Sequence, residues 1–137
     1  MRMPKLRVCH WVSVDDLGHL YRGGRLSAAG AVVGTALGIK PIIDLNSEGK
    51  LITHEKVRGK ANVYTALARH LEEADNLDVV YITHAGAPEE AKKLAEIIRK
   101  NYKVGEIRYS SIGPVVGCHT GPGTIAVVFF GIRSDAK

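Results

Sequence analysis

The sequence predicts an α/β fold: a two-layer α/β sandwich built on a mixed β-sheet. Three observations predict it. Segments that read as strands recur at Arg7 to Val14, at the strongly apolar Asp78 to His84, at Glu106 to Ser111 and at Thr124 to Phe130. Helix-period stripes stand between some of them, such as Ala91, Leu94, Ala95 and Ile98 at i, i+3, i+4 and i+7. Strand–helix–strand order in the second half implies some parallel pairing, while a hairpin in the first half makes the sheet mixed.

In chain order, Arg7 to Val14 alternates weakly and is rich in β-branched residues, as a strand would be. Ser13, Asp15 and Asp16 suit the start of a short helix through Leu17, Leu20 and Tyr21, and Gly23-Gly24 would stop it. Ser27 is a candidate N-cap for a second helix, Ala28 to Leu37. Gly30, Gly34 and Gly38 would share one face of that region, leaving a groove for a close backbone or a slender ligand. Pro41 to Leu45 and Leu51 to Glu55 flank an Asn-Ser-Glu-Gly turn and read as the hairpin. Lys60 to Ala74 carries Ala61, Tyr64, Leu67, Ala68 and Leu71 on one helical face. Pro88 opens the next helix with Glu89 and Glu90 in its first turn, and Lys100 and Lys103 suit its end. Residues between the last two strands are expected to form a glycine-rich loop.

The chain has 137 residues, enough for one domain, taken as 7–137 behind a tail of residues 1–6. Composition is ordinary for a globular protein, with 45% hydrophobic and 24% charged residues, which excludes a disordered chain. Cys9 and Cys118 are far apart and fit no metal spacing; they read as reduced thiols of a cytoplasmic protein. The short basic start has no apolar run behind it, and Ala28 to Ile39 is shorter than the ~20 residues that span a bilayer. Net charge is +5, and the basic excess concentrates between Arg22 and Lys60. Such an excess attracts anions or an acidic partner surface. Nucleic acid is disfavoured, because aromatic residues are only 6% and there is no continuous basic block.

The segment that speaks most directly to function is Gly117-Cys-His-Thr-Gly-Pro-Gly123. Its glycines and proline allow a sharp turn whose N–H groups converge on an anion, with His119 and Thr120 adding side-chain groups. The competing reading is a turn whose histidine is simply packed. Arg22-Gly-Gly-Arg25 places two guanidinium groups around a flexible turn, a pattern suited to a carboxylate or phosphate, or simply to a solvated helix end. His84 ends an apolar strand, where ligands often border α/β sheets and where packed histidines also occur. Glu55 to Lys60 is a charged strand-to-helix junction in the same basic region. The six histidines show no zinc spacing, and no nucleotide-binding motif is present. Adjacent Cys118 and His119 are poorly placed to act as nucleophile and base.

These segments stand in an order that resembles the DegV family of bacterial fatty-acid-binding proteins. The matching pieces are Val14-Asp-Asp-Leu17, Arg22-Gly-Gly-Arg25-Leu-Ser27, Gly38-Ile-Lys-Pro-Ile-Ile43 and Glu55-Lys-Val-Arg58. They continue with Thr83-His-Ala85, Pro88-Glu-Glu-Ala91 and Ile112 to Gly123. The resemblance implies a carrier that buries one long-chain fatty acid between two lobes and presents its carboxylate to a fatty acid kinase, without catalysis of its own. It implies no cofactor beyond that bound lipid. His119 is then expected at the head group, with Thr120, Gly121 and Gly123 shaping its loop and Arg22 bordering its mouth. Arg25, beside the same mouth, and Arg58 are expected to meet the kinase. The match corresponds to the family's C-terminal lobe, so the expected partners include an N-terminal lobe or a second copy of the chain. Two other classes stay open on the residues alone: a phosphoryl- or acyl-transfer enzyme using His119, and a basic nucleic-acid module.

Overall fold

The computed structural model describes residues 7–15, 17–24, 39–46, 48 and 51–131. Among them, six strands and four α-helices follow one another. The order is β1 (Val8–Ser13), α1 (Leu17–Arg22), β2 (Ile39–Leu45), β3 (Leu51–Arg58), α2 (Lys60–Arg69), β4 (Val79–His84), α3 (Pro88–Asn101), β5 (Glu106–Ser111), α4 (Pro114–Thr120) and β6 (Ile125–Phe130). The expected helix Ala28 to Leu37, with its glycine stripe, lies outside the described residues.

The strands form one sheet in the order β3-β2-β1-β6-β4-β5. It is mixed, as expected: β4 and β5, joined through α3, run parallel, and the other neighbours run antiparallel. Pairing of Trp11 with Val127 and of Cys9 with Phe129 puts those four side chains on one face. The apolar stripes of α2 and α3 cover that face, so Leu67, Leu94 and Ile98 pack with Trp11, Ile42, Val80, Ile82, Val127 and Phe129 in the main core. A smaller cluster of Val14, Leu20 and Ile43 anchors α1. Because Ile43 pairs with Val12, it points away from the Trp11 face.

Two expectations need correction. The helix expected through Ala74 ends as an α-helix at Arg69 and tightens into a 3-10 turn, His70–Glu73. The His70 ring there stacks on Trp11 with centroids 3.5 Å apart. Its two nitrogens lie 3.1 and 3.2 Å from carboxylate oxygens of Glu73 and Glu55. Those tertiary contacts outweigh the pull of the apolar period. The second correction concerns the residues between β5 and β6. They do not form an open loop, because Pro114 to Thr120 make the seven-residue helix α4. Pro114 occupies a first-turn position that needs no amide partner, and Thr120 Oγ1 donates back to the Val116 carbonyl at 3.0 Å. Gly117 inside the helix costs about 1 kcal/mol relative to alanine, which helps to hide the helix from a sequence reading. Among the described residues, no helix is long and apolar enough to cross a membrane.

Candidate functional site

The glycine-rich segment meets α1 at one end of the sheet. Three of its amides are already committed to carbonyls: Gly117 to Gly113, Gly121 to Gly117 and Gly123 to Ala85, each at 2.8 Å. Helix formation and strand-end pairing thus consume donors that the sequence reading assigned to an anion nest. That part of the expectation fails, and side chains are left to define the site.

Thr124, which the sequence reading passed over, fixes the turn. Its hydroxyl is fully buried and lies 3.1 Å from the Thr120 carbonyl and 2.8 Å from the Gly121 carbonyl, where it is the donor. The Thr124 carbonyl is tied as well, since it accepts from the Ala85 N–H at 2.9 Å. The available signal was a threonine directly after Gly-Pro-Gly at a strand start, where a hydroxyl can satisfy carbonyls left by a helix end.

Gly121 and Gly123 both adopt positive φ, +82° and +87°. Both also face a side chain, of His19 in α1 or of Asp15 just before it. A Cβ on Gly121 would collide with the His19 imidazole, and one on Gly123 would lie 2.8 Å from the Asp15 Cβ. The relation is returned by α4: a Cβ on Gly23 would collide with Nδ1 of His119. His119 is half-buried, and its Nδ1 is enclosed without a hydrogen-bond partner among the described residues, whereas Nε2 is not so enclosed. Arg22 ends α1 exposed, one residue before the glycine that the His119 ring abuts.

Beside this junction, the Lys40 ammonium donates to the Asp15 carbonyl at 2.7 Å and to its carboxylate at 3.1 Å. The pair is partly exposed, so it contributes only ~0–1 kcal/mol to stability, but it offsets the Asp15 carboxylate next to Gly123. A cleft of about 30 Å³ opens here, lined by Ser13, Asp15, Lys40, Lys60, Tyr64 and Glu90. It has room for about one water molecule. Burial, followed by the charges of Glu90 and Asp15, pushes the Tyr64 hydroxyl above its ordinary pKa, so it stays a proton donor.

The structure brings His119, Thr120, Gly121 and Gly123 together with Arg22. Thr120 and Gly121 are buried, and the Thr120 hydroxyl spends its proton on Val116. Arg58 stands elsewhere, exposed at the end of β3, where its carbonyl accepts from Asn62 at 2.7 Å. It lines a separate groove of about 270 Å³ with Asn62, Thr65 and Arg69. Arg25 lies outside the described residues. His84 takes the packed role: the Ala87 amide donates to its Nδ1 at 3.0 Å, fixing the chain just before α3. Cys118 is exposed and Cys9 buried, and neither is in a disulfide. Among the described residues, no group of three or more His, Cys, Asp or Glu side chains is placed to hold a metal.

Comparison with known proteins gives the site a context. A family model described as "Uncharacterised protein, DegV family" matches residues 3–131. A DegV domain-containing protein of Clostridium perfringens is 41% identical over 130 residues, covering 93% of this chain and 45% of that protein. The crystal structure of a fatty acid binding DegV family protein from Streptococcus agalactiae is 33% identical, with a TM-score of 0.79 over 93% of this chain and 46% of that one. The fatty acid kinase B3 protein of Streptococcus pneumoniae, loaded with linoleic acid, matches at 18% identity and a TM-score of 0.78, covering 95% of this chain and 46% of that one. At that identity the likeness shows a shared fold alone. The chain spans about half the length of the curated relatives it matches.

Proposed function

Because the chain belongs to the DegV family, we propose that it is a fatty-acid-binding module, the C-terminal half of a carrier that presents a lipid carboxylate to a fatty acid kinase. Residues 7–137 act as one domain behind a tail of residues 1–6. The observation that carries this reading is the His119 imidazole. Its Nδ1 is turned into the protein against Gly23. Nε2 is therefore the nitrogen left to donate to a carboxylate, and exposed Arg22 precedes the glycine that the ring abuts. Thr120, Gly121 and Gly123 serve by shape, because the Thr120 proton and both glycine amides are already committed.

Exposed Val115 and Val116 on α4, 75% and 56% accessible, supply apolar surface next to that head-group position. An acyl chain and an N-terminal lobe, or a second copy of the chain, would cover such side chains. Arg58 and Arg25 belong in this reading to the surface that meets the acidic kinase. The separate groove around Arg58 fits a partner contact better than a lipid contact. The module binds and presents in the cytoplasm; the kinase performs the chemistry. Among the described residues of the junction, no group is set up as an activated nucleophile: the Thr120 hydroxyl donates to a backbone carbonyl, and Cys118 adjoins His119 in sequence, where side chains rarely aim at each other.

Native mass spectrometry of the delipidated chain with added oleate tests the proposal. The expected result is a one-to-one oleate adduct, on the chain alone or after a separately supplied N-terminal lobe is added. Absence of the adduct in both samples overturns it.

A further inference from the structure

Asp15, His19 and Gly23 are spaced four residues apart, and they meet Gly123, Gly121 and His119, spaced two apart, in reverse order. The middle step is the tightest. The His19 ring covers the α-carbon of Gly121 so closely that Cγ, Cδ2 and Nε2 would all fall within 2.8 Å of an added Cβ. The Gly121 backbone, φ 82° and ψ 172°, is in a region that glycine alone enters without strain.

From this geometry we propose that His19, a residue that neither the sequence motifs nor the family comparison singles out, is a positioning residue for His119. This inference rests on the fatty-acid reading for its functional consequence. The coupling runs through Gly121, which caps α4 two residues after His119. The His19 ring holds that cap in place, and Gly23, one helical turn after His19, forms the surface that receives the His119 ring. The Gly23 amide donates to the His19 carbonyl at 3.0 Å, so the two contact points on α1 share one backbone segment. Without the His19 ring, a void opens over Gly121, the α4 cap gains freedom, and the His119 Nε2 is no longer aimed. His19 thus acts through shape and needs no bond to the lipid.

The test compares His19→Ala and His19→Phe with the unmodified chain, using two readouts. The first is the ring signals of His119 in the lipid-free chain by 1H–13C NMR. The second is oleate affinity under the conditions in which the unmodified chain binds. His19→Ala is expected to shift and broaden the His119 signals and to weaken oleate at least fivefold. His19→Phe, which refills the space without a nitrogen, is expected to restore most of both. In a His119→Ala background, His19→Ala is expected to cause less than a twofold further loss. Unchanged His119 signals in His19→Ala, or full additivity in the double variant, overturn the proposal. Should His19→Ala unfold the chain, His19→Phe decides: retained His119 signals support the proposal, and lost signals overturn it. Absence of oleate binding by the unmodified chain, both alone and with the N-terminal lobe supplied, would sink the fatty-acid reading, while the NMR comparison would still decide the positioning role.

Discussion

Replacing Gly121 with alanine is expected to lower the stability of the folded chain by ~2–6 kcal/mol, measured by urea unfolding. Two costs combine. At φ 82° and ψ 172° a non-glycine residue is strained by ~1–3 kcal/mol. The new methyl group also enters space held by the His19 imidazole, and overpacking of this kind typically costs ~1–3 kcal/mol. Pairing the change with His19→Ala separates the terms, because removal of the ring relieves the collision and leaves the backbone strain. The double variant should therefore be less destabilised than the sum of the two single variants. Strict additivity would mean that the ring and the glycine do not press on each other.

His119→Ala is expected to weaken oleate binding about ten- to a hundredfold, while the fold survives. A hydrogen bond to a charged group contributes ~1.5–3 kcal/mol, and that range sets the expected ratio. The fold survives because His119 makes no hydrogen bond among the described residues; its Nδ1 is enclosed and unpartnered, so removing it strands no donor or acceptor. Isothermal titration with oleate, with far-UV circular dichroism as the control for folding, measures the loss. Undiminished affinity in a folded variant would move the head group away from this imidazole.

The residues differ in how openly they announced their roles. The helix from Pro88 was legible because three independent signals agree there: proline at the start, glutamates in the first turn, and an unbroken apolar stripe. β5 was legible in its full span, Glu106–Ser111. α4 was not, since a seven-residue helix with an internal glycine and two valines has neither the length nor the propensity to show a period. The same segment drew attention through its glycines, but the use of its backbone amides was not legible. Free amides were expected where helix and strand-end pairing use them.

His19 and Thr124 were missed for a different reason. Periodicity reports which face of an element is buried, and says nothing of which distant residue fills that face. His19 meets Gly121 from the far end of the chain, and Thr124 works through the carbonyls of Thr120 and Gly121 with its side chain alone. The early end of α2 had the same origin, in the contacts of His70 with Trp11, Glu55 and Glu73. Local pattern fixed the elements, while packing between remote segments fixed where they stop and what they hold.

The central claim is that the lipid carboxylate meets His119 at the α1–α4 junction. Intermolecular NOEs between the C2 protons of bound oleate and assigned histidine ring protons test it most directly. The account predicts cross-peaks from those C2 protons to the His119 ring, in the form of the protein that binds oleate. Cross-peaks from the C2 protons to side chains of the groove around Arg58, with none to His119, would contradict it.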